Sequence, residues 1–164
     1  MYPPVFEIAK QSAAVLAALE PDLVLLQEVD SRLSRGGLDQ AMLLGRALGM
    51  AVVEGPLLRE HRGHYGNAVL SRWPVRHRAE GPYRAQGFEP RGWLLVEAVP
   101  PGGWSWRALV THLDLCGRAR TAQLAELAAL VAAQTAPFLL AGDLNEWRPW
   151  RRRLAGLPRA LDLL

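Results

Sequence analysis

Two residues able to do chemistry stand two positions apart in Gly142-Asp-Leu-Asn145, directly after the apolar run Phe138 to Ala141. Such a run suits a strand buried on both faces, and Gly142 lets the backbone turn at its end. Asp143 and Asn145 then sit just past a strand terminus, where open α/β sheets place ligands. If extended geometry persists they share a side, one able to hold a water or metal while the other hydrogen-bonds a phosphoryl oxygen. The simpler reading is an Asp-x-Asn turn whose side chains satisfy neighbouring backbone groups.

Three further residues carry chemical potential. Glu28 ends the apolar segment Asp22-Leu-Val-Leu-Leu-Gln-Glu28, and a carboxylate at the end of a buried strand must be solvated, paired or bound to a metal. His112, in Thr111-His-Leu-Asp114, could donate to a phosphate oxygen, take part in proton transfer or serve structure alone. Asn67, the other asparagine of the chain, could orient a ligand or satisfy the adjoining turn.

These residues need elements to position them. The spacing of Ile8, Ser12, Val15, Leu16 and Leu19 predicts an amphipathic helix over 5–19, closed by Pro21. A strand at 22–28, a turn at 32–37 and a short helix over 38–48 ended by Gly49 follow. Residues 50–54 read as a strand, and 57–65 as a basic loop with Arg59, His61, Arg62 and His64. Gly66 to Val75 reads as strand, turn at Trp73-Pro74 and strand. The Gly-, Pro- and Arg-rich stretch 81–91 reads as a surface loop. Strands at 93–99 and 104–111 form a hairpin across Pro100-Pro-Gly-Gly103. A helix over 121–134 has Arg118 and Arg120 at its start, where the dipole does not favour cations, so they ask for an anion or carboxylate partner. The order of helices and strands indicates a mixed α/β sheet protein.

Length and composition set bounds. A chain of 164 residues, 50% hydrophobic, is one domain's worth and can bury a sizeable core. The net charge of +3 rests almost wholly on arginine, which suits bidentate phosphate contacts, and Arg148 to Arg153 could meet a phosphate backbone or form a solvated face. The single cysteine, Cys116, excludes an intrachain disulfide and a multi-cysteine zinc site. No stretch approaches the roughly 18 apolar residues of a membrane span, and Met1-Tyr-Pro-Pro lacks the features of a signal peptide, so the expected setting is cytoplasmic.

Taken in order, Leu26-Gln-Glu-Val-Asp30, Gly66-Asn-Ala-Val-Leu-Ser-Arg72, Thr111-His-Leu113, Arg120-Thr-Ala-Gln123 and Gly142-Asp-Leu-Asn145 resemble the endonuclease/exonuclease/phosphatase superfamily, over roughly residues 8 to 150. The resemblance implies a DNase I-like α/β fold, a β-sandwich of two mixed sheets flanked by helices. It implies hydrolysis of phosphate esters with Mg²⁺ or Mn²⁺, with nucleic acid among the candidate substrates. Carried over by motif, Glu28 would be the divalent-metal ligand and His112 would contact the scissile phosphate. Asp143 would position or activate the attacking water or serve the leaving oxygen, Asn145 would hold a phosphate oxygen, and Asn67 would be a supporting substrate-site position.

The chain departs from the family pattern at both ends. No asparagine precedes Asn67 to match the metal-binding asparagine of the family's first strand, and no Asp-His pair occurs to match the one that completes the family's site. The sequence therefore reads as the central two-thirds of one such domain, an incomplete sandwich. The expectations that follow are weak cation binding, impaired catalysis and self-association through open sheet edges. The alternative function is a remnant or interaction domain that binds phosphate-containing partners without turnover.

Overall fold

The structure, a computed structural model, describes residues 5–146. The opening Met1-Tyr-Pro-Pro, the Trp147 and Trp150 region, the Arg148 to Arg153 run and the apolar end lie outside the described residues. In chain order the elements are α1 (Val5–Leu19), β1 (Leu23–Asp30), a single 3₁₀ turn at Leu33–Arg35, α2 (Gln40–Leu48), β2 (Ala51–Arg59), β3 (His64–Ser71), β4 (Val75–Pro82), β5 (Gly92–Ala98), β6 (Trp106–His112), α3 (Gly117–Ala132) and β7 (Phe138–Asp143).

The strands form two sheets with helices on their outer faces, the α/β sandwich expected from the sequence. One sheet is ordered β1-β3-β2 and pairs antiparallel throughout, while the other is ordered β4-β5-β6-β7 and is mixed, because β7 runs parallel to β6. The parallel step follows from connectivity: α3 is the crossover that returns the chain to start β7 alongside β6. Between the sheets lies an apolar layer of Val69, Leu94, Val96, Ala108 and Val110, with Leu23, Leu25, Val53 and Val75 packed against it. On the far side of the three-stranded sheet, Ala13, Val24, Leu44, Met50 and Leu70 seat α1 and α2. On the far side of the other sheet, Leu109 and Leu113 seat Leu127 and Val131 of α3.

Several boundaries differ from the sequence expectation for identifiable reasons. The basic stretch at 57–65 is mostly strand, since β2 runs to Arg59 and β3 starts at His64, leaving a turn in which Glu60 N–H bonds the Gly63 carbonyl at 3.0 Å. There His64 Nε2 lies 2.8 Å from Glu54 Oε1, across the hairpin. α3 starts at Gly117, four residues before the predicted start, so Arg118 and Arg120 are inside it. α2 begins at Gln40, two residues after the expected start, because Asp39 caps the Met42 N–H at 2.9 Å, and it ends as anticipated at Gly49, which is in the left-handed region.

Two packing expectations are overturned. α1 turns Ala9 and Ala13 inward, while Ile8, Val15 and Leu19 stay exposed, because small side chains let the helix lie close to α2. The run Phe138 to Ala141 is not buried on both faces: β7 is an edge strand among the described residues, with Leu139 42% exposed, while Phe138 and Leu140 pack on the α3 side.

Candidate active site

The two sheets bring Glu28, His112, Asp143 and Asn145 to one end of the sandwich. Parallel pairing sets His112, the last residue of β6, opposite Asp143, the last residue of β7. That register depends on Gly142: a Cβ there would stand 1.8 Å from the Thr111 carbonyl oxygen, so only glycine lets β7 lie this close to β6.

At the turn after β7, Asp143 Oδ1 accepts the Asn145 N–H at 2.8 Å, the local Asx pairing that the simpler sequence reading describes. The Asn145 backbone has φ +49°, a left-handed conformation asparagine tolerates better than most residues. Its amide is thereby turned inward, donating to the Leu113 carbonyl at 2.7 Å and lying 3.0 Å from His112 Nε2. Asp143 Oδ2 is 3.6 Å from the same ring nitrogen, so this motif makes both a turn and a chemical cluster.

Glu28 reaches the cluster through an irregularity in β1. Leu26 pairs with Ala68 and Val29 with Gly66, so β1 holds one residue more than β3 over this interval, and Glu28 has φ +59°. A bulge of this kind reverses the inside-outside alternation of a strand. Leu26 and Val29 both pack on the helix side despite their odd spacing, and Glu28 is turned to the other side, with Oε1 3.7 Å from His112 Nδ1. Left-handed φ in a glutamate stores strain of a kind often found at functional sites.

The imidazole is thus flanked by one carboxylate at each ring nitrogen. His112 is nearly buried, its side chain 7% exposed, whereas the Glu28 and Asp143 side chains are 50% and 51% exposed. Burial, and then the charge of Arg91, push the His112 ring below its usual range against the pull of Glu28 and Asp143. Burial acts to raise the Glu28 carboxyl, but hydrogen bonds from Arg91 and Tyr65 and the nearby charges outweigh it, and the net shift is downward.

Arg91 is the residue that sequence reasoning missed. It was counted within a surface loop, yet it is 5% exposed, with Nη1 3.0 Å from Glu28 Oε1, 3.1 Å from the Tyr65 hydroxyl and 2.9 Å from His112 Nδ1, and Nη2 3.0 Å from Glu89 Oε2. It therefore joins both sheets at the site. Asn67 stands apart from this cluster, buried between the sheets and donating to the Gly92 carbonyl at 3.2 Å, which supports the strand that Arg91 precedes. Arg120 has the carboxylate its position asked for: its Nε is 3.7 Å from Glu146 Oε2, and its Nη1 donates to the Asp114 and Leu115 carbonyls.

A magnesium-like ion keeps several waters and is often held by only one or two protein carboxylates. Among the described residues no cluster of three or more metal-ligating side chains occurs. The half-exposed, ionised Glu28 fits the single-carboxylate mode, with its Oε1 already bonded to Arg91, whereas an all-protein cage does not fit.

Residues 9–163 match the Endonuclease/Exonuclease/phosphatase family, and the chain belongs to that family. The protein YbhP of Escherichia coli (strain K12) is 44% identical over 89 residues, covering 52% of this chain and 35% of that protein. Among solved structures, the endonuclease/exonuclease/phosphatase from Beutenbergia cavernae DSM 12333 superposes with a TM-score of 0.66 at 27% identity, over 85% of this chain and 42% of that one. D. rerio TDP2 complexed with single strand DNA product superposes with a TM-score of 0.68 at 22% identity, over 92% of this chain and 58% of that one, a likeness of fold. The chain spans less than half of the two bacterial relatives, at 35% and 42%. Among the described residues no helix is long and apolar enough to cross a membrane.

Proposed function

We propose that the chain carries a divalent-metal-dependent phosphoesterase site that acts on phosphodiesters, nucleic acid foremost. The observation that carries this reading is the placement of His112 between Glu28 and Asp143, with the Asn145 amide beside it. Asp143, half-exposed at a strand end, is suited to accept the proton of an attacking water or to steady that water. The His112 and Asn145 N–H groups are donors for phosphoryl oxygens as negative charge develops on them. Glu28 is the residue that would hold Mg²⁺ or Mn²⁺, which when bound supplies Lewis-acid polarisation of the phosphate. The fold shared with TDP2, seen with a single strand DNA product, supports nucleic acid as the first substrate to try.

A second reading, binding of phosphate-containing partners without turnover, is favoured by one contact: Arg91 already neutralises the Glu28 carboxylate at 3.0 Å. The two separate on hydrolysis of bis(p-nitrophenyl) phosphate and of a labelled single-stranded oligonucleotide by the purified chain with Mg²⁺ or Mn²⁺. Chelator-sensitive turnover that Asp143→Ala abolishes supports the first reading; saturable oligonucleotide binding with no turnover overturns it in favour of the second. The same proposal places the chain as one domain in the cytoplasm, with copies associating through the sheet edges. A concentration-independent monomer in sedimentation velocity would refute that association.

A further inference from the structure

Hydrogen-bonding arithmetic around His112 leads to a role for Arg91. Arginine stays protonated and carries donors only, whereas a neutral imidazole has one donor nitrogen and one acceptor. With Arg91 Nη1 2.9 Å from Nδ1, a proton on Nδ1 would face a guanidinium N–H. The ring proton therefore belongs on Nε2.

The Asn145 amide is fixed independently. Its Nδ2 lies 2.7 Å from the Leu113 carbonyl oxygen. Turning the amide over would set two acceptors at that distance, so the nitrogen, not the oxygen, faces the imidazole. The Nε2–H and an amide N–H then stand 3.0 Å apart, two donors side by side, with Asp143 Oδ2 the nearby acceptor at 3.6 Å. An anionic oxygen seated against both would satisfy them.

Without the guanidinium the ring has a more comfortable alternative. Nδ1–H would point to Glu28 Oε1, now 3.7 Å away, and Nε2 would accept from Asn145. Arg91 thus decides between two networks built from the same residues. Its own placement is rigid: Gln86 accepts the Arg91 N–H at 2.8 Å and donates to its carbonyl at 3.0 Å, and the next residue, Gly92, pairs with His112.

We propose that Arg91 is a positioning residue that keeps His112 in the Nε2–H tautomer, so that His112 and Asn145 form a two-donor seat for one phosphoryl oxygen. The identity of that oxygen rests on the phosphoesterase reading; the tautomer does not.

The test is long-range ¹H–¹⁵N correlation of the imidazole in the ¹⁵N-labelled full chain at neutral pH. The Nε2–H tautomer is expected in the wild type and in Arg91→Lys, and the Nδ1–H tautomer in Arg91→Met. Nδ1–H in the wild type, or an unchanged ring in a folded Arg91→Met, overturns the proposal. Should Arg91→Met fail to fold, Asp143→Asn decides: Nε2–H retained supports Arg91 as the determinant, and a switch to Nδ1–H assigns that role to Asp143 and overturns it. In parallel, kcat on bis(p-nitrophenyl) phosphate is expected to fall about a hundredfold in Arg91→Met and to be largely kept in Arg91→Lys. The expected tautomers with no wild-type turnover would refute the hydrolase reading alone; turnover with the opposite tautomer would refute the positioning role alone.

Discussion

The Asp143 carboxylate accepts the backbone N–H of Asn145 at 2.8 Å, so the two polar residues of this turn also hold each other in place. Replacing Asp143 by Asn keeps an oxygen acceptor for that bond but removes the carboxylate charge. Stability within about 0.5 kcal/mol of wild type is expected, with phosphodiester turnover reduced on the order of 10²–10⁴-fold. Urea denaturation beside a turnover assay separates the two effects.

Asn145 combines a left-handed backbone with a buried donor to Leu113. Gly and Ala variants both lose that donor, leaving a buried carbonyl unsatisfied at roughly 1–3 kcal/mol. Alanine additionally pays about 1–2 kcal/mol for the left-handed conformation, which glycine does not. Asn145→Gly should therefore be the more stable of the two, by about 1 kcal/mol in equilibrium denaturation, even though both lose the same contact.

Gly142 tolerates no side chain, since its Cβ would collide with the Thr111 backbone. Gly142→Ala is expected to destabilise by about 2 kcal/mol or more through forced separation of β6 and β7. Hydrogen exchange localises the effect: the Leu113 N–H, which bonds the Asp143 carbonyl at 2.9 Å, should lose protection before amides of β3 do.

The pH dependence of stability follows from His112 and Glu28. An unfolded histidine takes up its proton near its ordinary 6.5, whereas burial and Arg91 keep the native ring neutral to lower pH. Below 6.5 the unfolded state therefore binds more protons, and stability falls with pH until the native ring is protonated too. Glu28, held below its ordinary 4.5, acts in the same direction: its contribution is present above 4.5 and is lost as pH falls through the lowered value. Denaturation midpoints should be flat around neutrality and decline below it, and His112→Gln should remove the step near 6.5 while leaving the one at lower pH.

Glu28→Gln tests the metal assignment without any assay of catalysis. Loss of the carboxylate charge should weaken Mn²⁺ binding at least about tenfold, read by water-proton relaxation. Equal relaxation in the two proteins would assign the ion elsewhere.

Much of this arrangement was legible in the sequence because the ends of apolar runs are legible, although β1 continues past Glu28 to Asp30. Glu28, His112 and Asp143 each close an apolar run, and the structure gathers those runs at one end of the sandwich. Arg91 was not legible by composition, since its neighbours Gly87, Pro90 and Gly92 read as loop. A signal existed in the hairpin: pairing 93–99 against 104–111 across the Pro-Pro-Gly-Gly turn brings the start of one strand to the end of the other, which places residue 91 beside residue 112. Arg120 was flagged by the polarity of its helix, a local property, while its partner Glu146 needed the fold. The inward face of α1 was misjudged because counting large apolar residues overlooks alanines, which allow the closest approach. The exposure of Leu139 was hidden because an apolar run does not say whether a strand is central or at an edge.

The extra residue in β1 sets foldability against utility at a single peptide. Deleting Gln27 would let the ladder with β3 run without interruption and release the left-handed backbone of Glu28, giving a straighter strand. It would leave the acid on its present side, since Glu28 would then directly follow Leu26, but without the left-handed backbone from which it now reaches Arg91 and His112. Any optimisation of this chain for thermal resistance that smooths β1 would alter the backbone from which Glu28 reaches Arg91 and His112, so residues 26–29 are where an engineer seeking a sturdier protein should leave the irregularity alone.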